Sequence, residues 1–525
     1  MRILYKIANK LFRIVKKILK LLTSRMVIIG VALLLEFCWL AGIVMQLNEK
    51  SVYINYAVTI LSLIAVLSII NNPKMNPGYK LMWAVCILAL PVTGICLYGI
   101  LGHSSVARKF RTHYDTVLLS QGGVLGEEEE TRKKLEEENI LAAGQSSYLT
   151  NYAHYPVYEN TETEYYPLGD VWFEHFIEEL KKAEHYIFME YFIISEGYLW
   201  DTVLEILKEK AAAGVDVRLI YDDFGCVTTL PYQYYKSLQQ MGIKCAAFNQ
   251  FRPVLNVILN NRDHRKIAVI DGHTAFTGGI NLADEYINRK ERFGHWKDSG
   301  ICLHGEAVWS FTVMFLQMWS TITGVECNFE SYRPEIYHEE AFKKDGFVQP
   351  YGDSPLDGET VGEHVYLNII SQAKKYLYIF TPYLIPDNET LTALCMAAKR
   401  GVDVRIVTPG IPDKKIVYIL TQANYEILLE SGVQIYQYTP GFIHSKSFVC
   451  DDEVATVGTI NMDYRSMYLH FECGVWMYGS SAVAQVKEDA LTTFEQCEQI
   501  NMDYCRKKNF AVRALRGALK FLHPQ

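Results

Sequence analysis

One spacing of histidine, lysine and aspartate occurs twice in this chain. It has the form His-x-Lys-x4-Asp, and it stands in HRKIAVID at 264–271 and again in HSKSFVCD at 444–451. An imidazole can attack phosphorus or move a proton, and an ammonium two residues away can hold the charge of a phosphate. Two such copies predict chemistry on a phosphate diester. The candidate catalytic residues are His264, Lys266, Asp271, His444, Lys446 and Asp451.

The similarity between the two regions extends beyond these segments. Each is followed at the same distance by a glycine and an asparagine, in GGIN at 278–281 and GTIN at 458–461. Upstream, GVDVRLI at 214–220 is nearly repeated as GVDVRIV at 401–407. An internal duplication of one structural unit is the economical interpretation.

Each copy of the unit alternates amphipathic helices with short β-rich runs. This pattern predicts an α/β fold built from two duplicated half-domains, the first at 165–345 and the second at 346–525. Each His-x-Lys segment is predicted to be a strand, with both side chains on one face because side chains alternate along a strand. Bringing the halves face to face would assemble one site with two imidazoles and two ammoniums.

Such a site can attack the same phosphorus atom twice. A neutral imidazole forms a phosphohistidine while the other, protonated, gives its proton to the departing alkoxide; the second then takes a proton from the incoming alcohol. Each imidazole needs a partner on its other nitrogen, and Asp298 follows His264 much as Glu472 follows His444. No metal is predicted, because an adjacent ammonium repels a cation. The residues predicted to orient the imidazoles or bind the phosphate are Asn281, Asn461, Asp298 and Glu472.

Three long apolar runs precede the α/β part, at about 26–47, 53–70 and 81–101. Each is close to the length that a helix needs to cross the hydrocarbon layer. Residues 1–110 are therefore predicted to hold up to three membrane spans, with buried core helices as the alternative. Pro91 and Gly94 make the third run irregular, so that it either kinks or enters the membrane and returns.

Basic residues surround the predicted spans. The chain before residue 26 carries eight basic residues and no acid, which indicates either a basic helix on an anionic membrane surface or a positive-inside flank. Three crossings from a cytoplasmic start would place the catalytic part outside, whereas the basic residues at 108–111 favour the inside, so the side of the membrane stays open. Residues 509–525 are predicted as another basic interfacial helix or a solvated tail.

The composition limits the partners. The net charge is -8, and the basic domain that nucleic-acid binders carry is absent from the sequence beyond the N-terminus. The acidic residues within 127–138 predict a solvated helix or linker in the segment 111–164. Twelve cysteines form no CxxC pair, which favours a reducing compartment. Nothing in the sequence indicates a protein partner.

These motifs resemble the phospholipase D superfamily, whose signature is two His-x-Lys-x4-Asp motifs, each trailed by glycine and asparagine. The resemblance covers most of 165–525 and is most specific for the bacterial cardiolipin synthase family. The segments that carry it are 76–102, 189–197, 380–388, 438–452 and 458–466. Two departures concern substrate positioning: His470 replaces an asparagine that the family often has, and YGDSPLDGE at 350–358 matches only in part.

The resemblance implies a multi-pass bacterial cell-membrane enzyme that acts on phosphatidylglycerol and other membrane phospholipids without a metal or nucleotide cofactor. One phosphatidylglycerol would give a phosphatidyl-histidine and glycerol, and a second would accept the phosphatidyl group to give cardiolipin. The superfamily's usual assignment makes His264 the nucleophile and His444 the acid and then the base, although the two halves alone do not separate these roles.

Several other activities share the same motifs. A hydrolase, or a transferase with another acceptor alcohol, differs only in what attacks the phosphohistidine, and residue types do not reveal how dry the pocket is. A nuclease is opposed by the apolar runs and the acidic balance. A non-catalytic membrane scaffold is opposed by the completeness of both motifs.

Overall fold

A computed structural model of the chain describes residues 25–44, 50–73, 75, 77–102, 107–120, 123–126, 129–250, 261–506, 517 and 519. The chain divides into two compact units, one up to Arg108 and one from Lys109 onward, apart from short segments outside these ranges. The predicted basic helix before residue 25 lies outside the described residues, as does the predicted C-terminal helix apart from positions 517 and 519.

The N-terminal unit is helical in its described part. Tyr53–Ile70 is the one described segment that is long and apolar enough to cross a membrane by length and composition. Large side chains on this segment, such as Ile54 and Ile64, are more than half exposed, which suits an apolar surrounding. The predicted set of three spans is therefore not confirmed. The helices are α1 Arg25–Val44, α2 Lys50–Ile70, α3 Pro77–Ala89 and α4 Pro91–Leu101.

The structure corrects the third predicted span. Residues 81–101 do not form one helix, because α3 ends before Leu90 and α4 begins at Pro91. The rings of Trp83 and Tyr98 lie 5.3 Å apart, whereas fifteen residues of straight helix would separate them by about 22 Å. The chain therefore reverses at this break, as the irregular composition of the run had suggested.

A buried acid links the first and last helices of this unit. Glu36 is the acid within the first apolar run, and its Oε2 accepts a hydrogen bond of 2.6 Å from the backbone N–H of Thr93. The first turn of α4, which starts with a proline, has backbone donors without helical partners. The carboxylate satisfies one of them.

The segment that was predicted as a solvated linker packs on the second half-domain. The acids of its middle helix are exposed, but Leu135 is fully buried. The side chain of Gln145 accepts a hydrogen bond from Trp476 Nε1 at 2.8 Å and donates to Gln372 at 2.7 Å. This segment is thus part of the folded unit. Its helices are α5 Ala107–Ser120, α6 Glu129–Glu138 and α7 Ile140–Tyr152.

The first half-domain is a mixed sheet with the strand order β1-β9-β7-β6-β2-β3-β4. Its predicted start at residue 165 falls inside β1. The strands are β1 Thr161–Tyr166, β2 Tyr186–Tyr191, β3 Asp216–Asp222, β4 Lys244–Phe248, β5 Arg262–Asp263, β6 Lys266–Ile270, β7 Thr274–Gly278, β8 His295–Lys297 and β9 Gly300–Gly305. The helices are α8 Gly169–Lys182, α9 Tyr198–Ala212, α10 Tyr234–Gln240, α11 Val308–Thr323 and α12 Pro334–Tyr337, with 3-10 turns at Asp284–Ile287 and Phe329–Tyr332.

The second half-domain repeats this plan in the order β10-β17-β16-β15-β11-β12-β13-β18, with β18 added at one edge. The strands are β10 Phe347–Asp353, β11 Tyr376–Phe380, β12 Asp403–Pro409, β13 Gln434–Tyr438, β14 Gly441–Ile443, β15 Ser447–Cys450, β16 Val454–Gly458, β17 His470–Tyr478 and β18 Cys497–Ile500. The helices are α13 Val361–Gln372, α14 Asn388–Lys399, α15 Lys415–Ala423, α16 Tyr425–Glu430, α17 Tyr464–Tyr468, α18 Ser481–Phe494 and α19 Met502–Arg506.

The predicted duplication is confirmed by this matching order, and the two sheets share a core. Helices α11 and α18 follow equivalent strands, β9 and β17. Their side chains, including Phe315 and Val486, join Phe188 of the first sheet and Val475 of the second in one buried apolar cluster. Burial of this apolar surface favours a single docking of the halves.

The two halves also exchange short strands. β5 of the first half pairs in parallel with the start of β17, and β14 of the second half pairs in parallel with β8. Each exchanged strand, β5 and β14, ends immediately before a motif histidine. The backbone that carries each histidine is therefore held by the opposite half.

Candidate active site

His264 lies where β5 ends, against the first residues of β17. Its backbone N–H donates to the carbonyl of Phe471 at 2.9 Å, and its Nδ1 lies 2.9 Å from Oε2 of Glu472. The Glu472 side chain is fully buried. We call His264, Lys266 and Glu472 the first arm of the site.

His444 is held in the same way by the first half-domain. Its backbone N–H donates to the carbonyl of Lys297 at 2.7 Å, and its Nδ1 lies 2.6 Å from Oδ2 of Asp298. The Asp298 side chain is also fully buried. We call His444, Lys446 and Asp298 the second arm.

Each arm therefore draws its histidine from one half and its carboxylate from the other. By position along the chain, Asp298 corresponded to His264 and Glu472 to His444. In the structure the partners are exchanged, so that Glu472 contacts His264 and Asp298 contacts His444. The physical reason is the strand exchange, because β17 carries Glu472 beside β5 and β8 brings Asp298 beside β14. An acid on the other nitrogen fixes the tautomer that leaves Nε2 free to react.

The two motif lysines are buried in the same site. Lys266 Nζ donates to the carbonyl of His264 at 2.6 Å, and Lys446 Nζ donates to the carbonyl of His444. Burial lowers the pKa of Lys266 to about 8 and that of Lys446 to about 7. The charge of Lys266 also lowers the pKa of Lys446 and of His444, so the motifs of both halves share one electrostatic environment.

Burial also controls the protonation of the imidazoles. It lowers the pKa of His264 to about 3, against the opposing effect of Glu472, and that of His444 to about 4, with Lys446 acting in the same direction. Burial is the largest single effect and raises the pKa values of Glu472 and Asp298. The opposing effects together outweigh it, so both pKa values lie below their usual range: His264 and His470 act on Glu472, and His444, Lys446 and the backbone N–H of Ser299 act on Asp298. Before substrate binds, both imidazoles are neutral and both carboxylates are ionised. A phosphate diester would bring the negative charge that favours protonation of one imidazole.

The two predicted phosphate-binding asparagines differ. Both polar atoms of the Asn281 side chain form hydrogen bonds within the protein, since its Oδ1 accepts from the backbone N–H of Ile193 at 2.9 Å and its Nδ2 donates to the Tyr286 hydroxyl at 2.7 Å. Asn461 is buried, and its Oδ1 has no hydrogen-bond partner. Asn461 is thus the one of this pair with a side-chain atom still available to a ligand.

The structure does not bring Asp271 and Asp451 to the histidines. Each follows the far end of its strand, and five residues of extended chain place Asp271 about 17 Å from Lys266. Asp271 accepts three hydrogen bonds of 2.7 to 2.8 Å from the backbone of residues 184–186, and Asp451 accepts three of 2.6 to 2.9 Å from residues 374–376. The contacts of Asp271 and Asp451 therefore indicate a structural role in place of the predicted catalytic one: each holds the backbone at the start of β2 or β11.

The turns that follow the two motifs make different contacts with the carboxylates of Glu472 and Asp298. Thr459 Oγ1 donates to Glu472 Oε2. At the equivalent position, a β-carbon on Gly279 would overlap Asp298 Oδ1, which explains why the first turn is Gly-Gly and the second Gly-Thr. The backbone N–H of Ser299 donates to that same Oδ1 at 2.9 Å.

The sequence analysis named His470 only as a departure from the family that concerns substrate positioning, and did not predict its place beside His264 and Glu472. Its ring lies 5.4 Å from that of His264, and its Nδ1 lies 3.4 Å from Glu472 Oε1. Side chains two apart on a strand share a face, so its position two residues before Glu472 was the available signal. Among the described residues, His264, His470 and Glu472 form the group whose donor atoms lie close enough, within 4.8 Å of one another, to hold a metal ion.

Arg265 was also missed, although it lies inside the first motif. Its guanidinium is buried and lies 2.5 Å from Glu190 and 3.2 Å from Asp263. The equivalent residue of the second motif is Ser445, whose hydroxyl contacts that of Ser299. The two motifs thus have different supports.

Comparisons with known proteins agree with this architecture. The family described as “Cardiolipin synthase, PLD-like domain” matches residues 176–319 and 366–493, and the family described as “Phospholipase_D-nuclease N-terminal” matches residues 60–103. The first family covers both copies of the motif. The second covers the break between α3 and α4.

Similar proteins match over most of their length. An uncharacterised protein of Streptococcus mutans serotype c is 42% identical over 473 residues, covering 88% of this chain and 99% of that protein. A cardiolipin synthase of Alkalihalophilus pseudofirmus is 34% identical over 470 residues, covering 88% of this chain and 92% of that protein. The crystal structure of phosphatidylserine synthase from Haemophilus influenzae superposes with a TM-score of 0.55 at 17% identity, over 73% of this chain and 98% of that chain, and shows a shared fold.

Proposed function

We propose that this chain, which belongs to the cardiolipin synthase family with PLD-like domains, transfers a phosphatidyl group from one phosphatidylglycerol to another. The products are cardiolipin and glycerol. The observation that carries the proposal is the pair of arms: two buried imidazoles, each with a carboxylate on Nδ1 and a lysine beside it, in one electrostatic environment. Two imidazoles are what a double displacement at one phosphorus requires.

In the first step Nε2 of His264 attacks the phosphorus of a bound phosphatidylglycerol. The bond between phosphorus and the glycerol oxygen breaks, and His444 gives its proton to that oxygen. Glu472 accepts a hydrogen bond from Nδ1–H of His264 and stabilises the positive charge that develops on the ring. We propose that the ammonium groups of Lys266 and Lys446 stabilise the phosphoryl oxygens, and that Asn461 can do so only through its Nδ2, because its Oδ1 accepts hydrogen bonds and does not donate them.

In the second step a hydroxyl of another phosphatidylglycerol attacks the phosphohistidine. His444, now neutral, takes the proton of that hydroxyl, the bond between phosphorus and His264 breaks, and cardiolipin is released. Asp298 stabilises the imidazolium of His444 before the first transfer and after the second. One phosphodiester replaces another, so the reaction is close to thermoneutral and reversible.

The N-terminal unit fits a lipid substrate. Diacyl lipids stay in the bilayer, so an enzyme anchored there meets both substrates at high local concentration. The apolar segment Tyr53–Ile70, with its exposed side chains, supports such anchoring. We propose a bacterial cell-membrane location and phosphatidylglycerol, with other membrane phospholipids, as the molecules that the enzyme meets.

Product analysis tests the proposal. The purified full-length protein is incubated with phosphatidylglycerol labelled in its terminal glycerol, with a chelator present. We expect cardiolipin and free glycerol in equal molar amounts. Phosphatidic acid as the sole lipid product would contradict the proposal and indicate water as the acceptor, and a mixed headgroup product on adding another alcohol would show a broader acceptor range.

A further inference from the structure

His470 carries ligand atoms that the proposed reaction does not use. Its side chain is nine-tenths buried, and neither ring nitrogen has a hydrogen-bond partner. Glu472 Oε1, which faces it at 3.4 Å, also has none. Two buried polar groups that face each other without a hydrogen bond are costly unless a third species joins them.

The geometry points to a zinc-binding site formed by His264, His470 and Glu472, in which a bound ion blocks the first arm. Donor atoms of the three residues lie within 4.8 Å of one another. Two zinc bonds of about 2.05 Å at the tetrahedral angle place their ligand atoms about 3.4 Å apart, which is the distance between His470 Nδ1 and Glu472 Oε1.

The donor set also suits this ion. Two imidazoles and one carboxylate are borderline donors that zinc prefers to magnesium or calcium, and three protein ligands leave a fourth position for water. The ammonium of Lys266 opposes a cation here. The ionised Glu472, which is itself a ligand, offsets that charge, and His470 adds a second imidazole from outside the two motifs.

Zinc at this place would stop the proposed reaction through the tautomer of His264. In the metal-free site Nδ1 of His264 lies against Glu472 and carries the proton, so that the lone pair is on Nε2. A zinc ion bound to Nδ1 takes the place of that proton, and the neutral ring then carries its single proton on Nε2. Nε2 then has no lone pair for attack on phosphorus. The inhibition rests on the proposed function, whereas the binding of zinc does not.

The test measures zinc binding first, with zinc alone as the ligand. Metal-free full-length protein is titrated with zinc chloride in competition with a chromophoric zinc indicator. We expect one tight site, whose affinity for zinc falls by at least about 100-fold in His470→Asn. Removing a residue that only supports a ligand lowers metal affinity by at most about 100-fold, so a larger loss identifies His470 as a ligand. His304→Asn is the matched control, because His304 belongs to another group of histidine rings, 5.2 Å from His273 and 5.8 Å from His338. It should leave the tight site intact.

Equal affinity in His470→Asn and the unchanged protein would overturn the site, as would loss of the tight site in His304→Asn alone. Cobalt(II) gives a measurement that needs no variant: bound in place of zinc, it should show the visible absorption of a four- or five-coordinate ion. An octahedral spectrum would contradict the proposed ligand set.

The activity measurement separates this inference from the proposed function. Zinc should inhibit cardiolipin formation reversibly. Activity with zinc is divided by the activity of the same variant without zinc, and the zinc concentration that halves this ratio should rise in His470→Asn by the same factor as the dissociation constant for zinc. Tight zinc binding without inhibition would overturn the blocking role. Absence of cardiolipin formation without zinc would overturn the proposed function and leave the binding result standing.

Discussion

The two arms share one plan but differ in their supports. In the first arm, Glu472 contacts His264 and faces a second imidazole, His470, and it accepts a hydrogen bond from Thr459. In the second arm, Asp298 contacts one imidazole and a backbone N–H. Behind the first motif lies the buried Arg265 with two carboxylates, and behind the second lie serine hydroxyls.

This comparison teaches that a duplicated motif need not supply two interchangeable residues. The spacing places both imidazoles alike, while the side chains around each carboxylate differ in charge and hydrogen bonding. A nucleophile that carries a covalent intermediate and an acid that only moves a proton have different needs. We therefore expect each histidine to keep one role, and each of the following predictions either sharpens that asymmetry or removes it.

Replacement of either histidine has the largest expected effect. His264→Asn and His444→Asn should each lower cardiolipin formation by about 10⁴-fold or more, because each removes a group that both steps need. With labelled substrate, mass spectrometry of His444→Asn should find the phosphatidyl label on the peptide with His264. Label on the peptide with His444 in His264→Asn, and none in the converse variant, would reverse the roles of the arms.

Replacement of the carboxylates tests the crossed pairing. Glu472→Gln and Asp298→Asn should each lower activity by about 10²-fold or more, since each disturbs the tautomer of one histidine. Glu472→Gln should slow formation of the covalent intermediate, whereas Asp298→Asn should let more of it accumulate. Rapid-quench measurement of labelled enzyme distinguishes them. Accumulation in Glu472→Gln alone would show that each acid serves the histidine of its own half.

The motif aspartates should behave alike in the two halves. Asp271→Asn and Asp451→Asn each weaken three charge-assisted hydrogen bonds, and each should destabilise the protein by about 2 kcal/mol. Thermal unfolding in detergent should show a lower midpoint for both, while the folded fraction stays active. A loss of activity above about 10²-fold at a temperature where the variant is folded would restore the catalytic role that the sequence predicted.

The smallest effect concerns the alkaline limb of the pH profile. Loss of a lysine proton weakens phosphate binding, so kcat/KM should fall as pH rises past the pKa of Lys446, about 7, and then that of Lys266, about 8. Arginine stays charged, so Lys446→Arg should move the limb upward by about one unit. Lys266→Arg should not change the pH at which kcat/KM begins to fall, because that pH is determined by Lys446. Equal shifts in both variants would remove this asymmetry.

The sequence was sufficient for features that depend on local pattern. The alternation of helices and strands and the duplication follow from periodicity and repeated spacing, and the structure confirms them. The prediction that each His-x-Lys segment is a strand is wrong for most of both segments, because β6 begins at Lys266 and β15 begins at Ser447, so both motif histidines lie outside the strands. The catalytic roles of the site residues stay predictions, although the structure places both histidines, both lysines and both acids of the arms together.

Features that depend on pairing between distant segments could not be predicted. The exchange of Glu472 and Asp298 between the halves follows from β5 pairing with β17 and β14 with β8, contacts across more than 140 residues. The structural role of Asp271 depends on the backbone N–H groups of residues 184–186, at the start of β2, lying beside its carboxylate, and these residues are more than 80 positions away in the chain. At Pro91 the sequence predicted an irregularity but left a kink and a reversal as alternatives. The packing of Trp83 against Tyr98, which shows the reversal, is not encoded in hydropathy.

The exchanged strands also determine when the chain can become reactive during its synthesis. Translation delivers the apolar N-terminal unit and His264 well before residue 472. Until β17 lies beside β5, His264 lacks both the carbonyl of Phe471 on its backbone and the carboxylate on its ring. We therefore expect that an unfinished or truncated chain, whose His264 lacks its orienting carboxylate, is inactive in phosphatidyl transfer.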